Sequence, residues 1–383
     1  MKKTVLFLLL AALLLPNVPR AGAVGLEVAG KSAVLMDAAT GTILYEQNAH
    51  EPLAPASVTK VMTMLLIMEA IDSGKIRWED TVTASENAAA KGGSQIYLKV
   101  GETMSVSDMV KSIAVSSAND CACAMAEHLA GSEAAFVEAM NTRAGELGMN
   151  DTHFVNCTGL DDEPEAQNHK TSAYDIAVMS RELMVNHPDI KQFTTIWMDT
   201  VRDGAFGLSN TNKLIRFYTG ATGLKTGFTS SAGYCLSATA EREGMELIAV
   251  VMGCQTSKER NAACKQLLDF GFANYAVVTP QPEEPSSVPV TLGSAPSVRA
   301  VPGEQHKLLI DKASKAGITT QISLQESVTA PVARGQTLGT FTIRSGDKIL
   351  AEIPLVAEED VPRLGWGSLF GLALRHIAMA GGD

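Results

Sequence analysis

Residues 55–68 run Pro55-Ala56-Ser57-Val58-Thr59-Lys60-Val61-Met62-Thr63-Met64-Leu65-Leu66-Ile67-Met68. This stretch predicts a helix over 57–71, opened after Pro55 and closed at Gly74. Positions 61–68 are nearly all apolar, which marks a helix buried on every side. Ser57 and Lys60 are three residues apart in its first turn, so both side chains lie on one face. The free N–H groups and partial positive charge of a helix start favour a developing anion at Ser57. Burial of Lys60 lowers its pKa towards neutrality and makes it a candidate base for the serine proton.

Working outward, residues 33–37 and 43–46 read as a β-hairpin around Gly41. Further helices are expected within 104–130, the last of them from Asp120 to Leu129, and over 132–148, 172–186 and 258–270, the final one ending at Gly271. Residues 224–229, 234–241 and 246–252 are strand-like. Strands at both ends with helices between predict an α/β (α+β) domain over 25–276, its antiparallel sheet flanked by helices. Prolines and glutamates make 277–287 a linker. Residues 288–360 read as a small C-terminal β domain. In the tail, 361–383, Trp366, Leu369, Phe370, Ala373, Leu374 and Ile377 share one helical face. Twelve residues of helix reach about 18 Å, short of a bilayer core of about 30 Å. A membrane-interface helix is expected there, with Trp366 and Arg363 at its polar boundary; packing on protein is the alternative.

Lys2 and Lys3, an apolar run over 5–15 and the small residues Ala21-Gly22-Ala23 give 1–24 the form of a cleaved export signal. The net charge is −11, and losing that segment removes three cations and no acid. Such a chain has no cationic excess for nucleic acid. Six cysteines follow the signal, open to disulfide pairing or to burial as free thiols. No Cys-x-x-Cys and no His-Glu-x-x-His supports a metal, and no cofactor is expected.

Two more motifs accompany Ser57-x-x-Lys60. Lys225-Thr226-Gly227 lies in a strand-like segment whose glycines suit close approach of another backbone, so a peptide can pair with it as an added strand. Lys225 would attract a substrate carboxylate and help keep Lys60 neutral. Ser117-Ala118-Asn119 precedes a helix, where helix capping and catalysis are both open readings. Two decoys exist: Ser345-x-x-Lys348 in the β domain, and Ser85-Glu86-Asn87, read as a helix cap.

Together these strings resemble the serine-type D-alanyl-D-alanine carboxypeptidases, the low-molecular-mass penicillin-binding proteins. Gly92-Gly93-Ser94-Gln95 with Tyr97, Thr171-Ser172-Ala173-Tyr174-Asp175, and Gly223 to Thr229 match as well. The resemblance implies the β-lactamase/DD-peptidase-like fold and an acyl-enzyme on Ser57. It implies Lys60 as base and Ser117 as proton relay to the leaving amine. Asn119, Lys225, Thr226, Gly227, Phe228 and Arg260 would bind substrate, with the N–H groups of Ser57 and Phe228 forming an oxyanion hole. The implied partners are peptidoglycan stem peptides ending in D-Ala-D-Ala, β-lactams as covalent inhibitors, and a membrane surface on the outer face. Thr222, where an aspartate is common, and Cys157, where a proline is common, depart from the family pattern.

Three other functions fit parts of the same pattern. A β-lactamase needs a fast deacylation base and has no use for a β domain and tail helix. An endopeptidase or transpeptidase shares the same nucleophile. A non-catalytic peptidoglycan-binding module would form no penicillin adduct.

Overall fold

The computed structural model describes residues 26–162, 164–282, 286–303, 307–365 and 367. The expected export signal lies outside them, as does most of the expected tail helix.

A five-stranded antiparallel sheet forms the centre. Its strands are β1 (Ser32–Asp37), β2 (Ile43–Gln47), β3 (Ala221–Thr229), β4 (Gly233–Arg242) and β5 (Met245–Cys254), in the order β2-β1-β5-β4-β3. Side chains alternate between two apolar layers, as a period of two requires. Val34, Met36, Ile248, Val250 and Met252 face one core, and Ala33, Leu35, Leu247, Ala249 and Val251 the other. Both faces are covered, so β1 and β5 are apolar along nearly their whole length.

The first core carries most of the helices. Helix α1 (Lys60–Asp72) is followed by α2 (Val106–Ser116), α3 (Asn119–Ala130), α4 (Glu133–Glu146) and α5 (Ala173–Asn186). The apolar run of α1 is buried on nearly all sides, as its sequence requires. Ser57 is not in the α-helix: residues Ala56–Thr59 form a 3-10 turn, and α1 starts at Lys60. Side chains three apart eclipse in a 3-10 turn, which lines Ser57 up with Lys60.

On the opposite face lies α6 (Ser257–Asn274), which continues through Gly271 instead of stopping there. A Cβ at Gly271 would sit 2.5 Å from a Leu247 methyl and 3.0 Å from one on Leu35. That glycine lets the helix approach the sheet; it is not a cap.

After α6 the strand β6 (Tyr275–Val278) pairs with β9 (Leu308–Asp311), so the start of the expected linker is strand. The other strands that follow α6 are β7 (Ser286–Thr291), β8 (Ser297–Pro302), β10 (Ile318–Leu324), β11 (Val328–Thr329), β12 (Thr337–Ser345) and β13 (Lys348–Ala357). They form one sheet in the order β10-β12-β13-β8-β7-β11 over a core of Val288, Leu338, Phe341, Ile353 and Leu355. Residues 361–364 are not helical. Val361 bridges Val332, and Arg363 bridges Gly293 and donates from Nε to the Ala330 carbonyl. The Arg363 side chain, which is exposed, is tied by this bond to the β domain. Among the described residues no helix is long and apolar enough to cross a membrane.

Candidate active site

The turn at Ala56–Thr59 meets the edge strand β3 around Ser57. Lys60 Nζ lies 2.8 Å from Ser57 Oγ and donates to the Thr158 carbonyl at 2.8 Å. The Lys60 side chain has no solvent exposure. Burial pulls its pKa down to about 7, opposed by the nearby Cys157 and Asp120. An amine with so lowered a pKa, at hydrogen-bond distance from a serine hydroxyl, can accept its proton when neutral.

Strand β3 meets the nucleophile turn at Gly227. A Cβ there would lie 2.7 Å from the Pro55 carbonyl oxygen and 3.2 Å from Ser57 N. Glycine is required by that contact, as its place in the strand suggested. Lys225 is buried, and its pKa is held well below the usual lysine range, first by burial and then by Lys60 and Arg260. Its Nζ donates to the Thr226 carbonyl at 2.9 Å. Thr226 Oγ1 donates to Thr211 Oγ1 at 2.7 Å. Phe228 is 54% exposed and stacks on Tyr234, with ring centroids 4.2 Å apart. The Arg260 guanidinium reaches from α6 to the same Tyr234 ring at 5.8 Å. Of the nine sequence-derived site residues, Lys60 and Gly227 thus lie against Ser57, and Lys225 feels the charges of Lys60 and Arg260.

Neither Ser117 nor Asn119 N-caps the helix that follows; Ser117 instead ends α2 as its C-cap. Helix α3 starts at Asn119 with Ala118 as its N-cap and no side-chain cap bond. Ser117 adopts a left-handed backbone, and its Oγ is buried without a partner. Asn119 Nδ2 donates to the Gly92 carbonyl at 2.7 Å, while its Oδ1 is buried and unpaired. Buried unpaired groups are rare and point to a missing ligand. The decoys behave otherwise: Ser85 Oγ accepts from Ala88 N–H as a cap, and Ser345 pairs with Lys348 across a hairpin.

Several supports escaped the sequence. Thr158, whose carbonyl holds Lys60, sits in a loop tied by Asn156 Oδ1, which accepts from the Gly159 N–H at 2.7 Å. Asp120 accepts from the N–H groups of Ile96 at 3.1 Å and Leu98 at 3.0 Å, fixing the segment that carries Gly92. Thr211 carried no motif. A cavity of about 510 Å³ adjoins the site, lined by Lys91, Gly92, Glu133, Asn156, Thr158 and Leu160 among others. All six cysteines are buried free thiols; Cys157 donates from Sγ to Glu133 at 3.2 Å, and its carbonyl accepts from Thr63.

Residues 18–256 match the family model for D-alanyl-D-alanine carboxypeptidase. The chain belongs to the D-alanyl-D-alanine carboxypeptidase family. Residues 277–363 match the model for the C-terminal domain of penicillin-binding protein 5. The D-alanyl-D-alanine carboxypeptidase DacF of Bacillus subtilis is 44% identical over 342 residues, 88% of this chain and 87% of that one. DacC of Escherichia coli is 33% identical, over 92% of this chain and 88% of its own. The crystal structure of penicillin binding protein 5 from Haemophilus influenzae superposes with a TM-score of 0.74 at 32% identity, covering 89% of this chain and all of that one. The chain is therefore a serine-type D-alanyl-D-alanine carboxypeptidase and a penicillin-binding protein of the DD-peptidase fold.

Proposed function

We propose that this carboxypeptidase removes the terminal D-alanine from peptidoglycan stem peptides through an acyl-enzyme on Ser57. The observation that carries the reading is the 2.8 Å approach of buried Lys60 Nζ to Ser57 Oγ. Lys60 takes the hydroxyl proton as Oγ adds to the carbonyl between the two D-alanines. The N–H groups of Ser57 and Phe228 hold the resulting oxyanion. The C–N bond then breaks, and Ser117 passes a proton to the leaving amine. Lys225, Thr226 and Arg260 hold the substrate carboxylate, and the amide of Asn119 holds the peptide on the acyl side. Gly227 lets the substrate-pairing strand approach the nucleophile. Water releases the shortened peptide, and a β-lactam carbonyl acylates the same oxygen.

The remaining segments follow from the same reading. Residues 1–24 direct export, 25–276 form the catalytic unit, 277–287 connect, and 288–360 form the β unit. Within 361–383, the apolar face from Trp366 onward lies on the membrane and holds the enzyme at its outer surface. The chain's cell-wall substrate is consistent with extracytoplasmic action.

Peptide mass mapping after exposure to benzylpenicillin tests the assignment. The adduct is expected on Ser57, and Ser57→Ala should lose both the adduct and D-alanine release. An adduct on another residue, or release of D-alanine by Ser57→Ala, would overturn it.

A further inference from the structure

Beneath the nucleophile turn lies a chain of hydrogen bonds that no step above uses. Ala56 has φ +48°, a left-handed conformation that side-chain-bearing residues rarely adopt. Its carbonyl oxygen accepts from Thr59 Oγ1 at 2.8 Å. Thr59 has one hydroxyl proton, and it is spent on that bond. The same hydroxyl lies 2.8 Å from His169 Nε2, so there it must accept. His169 Nδ1 accepts from the Val155 N–H at 3.2 Å, which places the ring proton on Nε2. The ring is buried, and burial pulls its pKa down to about 3, so it stays neutral. Gly159 closes over the same carbonyl: a Cβ there would lie 1.8 Å from Ala56 O.

A trans peptide is planar, so its C=O and N–H point in opposite directions. The Ala56 carbonyl and the Ser57 N–H share one peptide plane. We propose that His169 is a positioning residue for acylation: through Thr59 it clamps the Ala56 carbonyl and so aims the Ser57 N–H into the oxyanion hole. This rests on the reading of Ser57 as nucleophile. His169 touches no substrate atom.

The test separates the acylation rate constant from non-covalent affinity, by stopped-flow with a chromogenic cephalosporin. Thr59→Val and His169→Leu should each slow acylation by about tenfold to a hundredfold, with affinity held within about threefold, as expected for a misaimed oxyanion donor. The double variant should be no slower than the slower single, since both cut one chain. Thr59→Ser and His169→Gln, which keep the hydroxyl and an N–H donor, should recover most of the rate. Thermal melts confirm folding, and if His169→Leu does not fold, the Thr59 pair decides the matter. Wild-type acylation by Thr59→Val, a loss confined to affinity, or multiplicative losses in the double variant would overturn the proposal. Absence of a Ser57 adduct in the wild type, scored in the same experiment, would instead remove the functional reading.

Discussion

Lys60 sits where a charged lysine is costly, and that cost tunes it for its task. Desolvation is the largest influence on its pKa and outweighs the opposing pull of Cys157 and Asp120. The sequence disclosed this residue because an apolar run surrounds it and Ser57 lies three positions away. It did not disclose Thr158, whose contribution is a backbone carbonyl and so leaves no mark on residue type. Thr222 shows how a departure from the family pattern is accommodated. Its Oγ1 lies 2.8 Å from Thr239 Oγ1 and 3.0 Å from Glu246 Oε1, and its one proton goes to one of the two. An aspartate there would face Glu246 as a like charge. Thr222→Asp should therefore cost ~1–3 kcal/mol of stability, and Glu246→Gln should recover much of it. A Thr222→Asp melt identical to wild type would contradict this account of the site.

Among the elements, the nucleophile turn and β3 matter most, because at Gly227 their backbones meet closely. With Pro55 O 2.7 Å from the position of a Cβ at Gly227, any side chain must push strand and turn apart. Gly227→Ala should fold and yet acylate about a hundredfold more slowly, since a misplacement of about 1 Å costs that much. Full acylation by this variant would show that the close approach is not needed. The longer helices and the central-sheet strands were legible from periodicity and capping signals, as at Ser172, whose Oγ caps α5. The 3-10 start at Ala56–Thr59 was not, because both helix types share an i, i+3 neighbour. Nor was the passage of α6 through Gly271, since a glycine that packs and a glycine that stops a helix read alike. Thr211 and Asp120 were missed for a related reason. Their partners, Thr226 on one side and Ile96 and Leu98 on the other, are distant in the chain, and only the fold joins them.

For the molecule as a whole, the acidic balance set aside nucleic acid, and the two matched families account for both of its units. Residues 361–364 belong to the β domain's hydrogen-bond pattern, so the proposed membrane segment is best tested by a cut beyond them. Removal of residues 366–383 should release the protein from membrane pellets and leave D-alanine release unchanged. Continued sedimentation with membranes would count against an interfacial tail.

The central claim is that a neutral Lys60 activates Ser57, and the pH dependence of acylation tests it most directly. Protonated lysine cannot take the serine proton, and the folded pKa is lowered to about 7. Acylation by a penicillin should therefore rise about tenfold per pH unit up to about 7 and then level off. A profile that is flat through this range, or that keeps climbing towards the pKa of an ordinary lysine, would contradict the account.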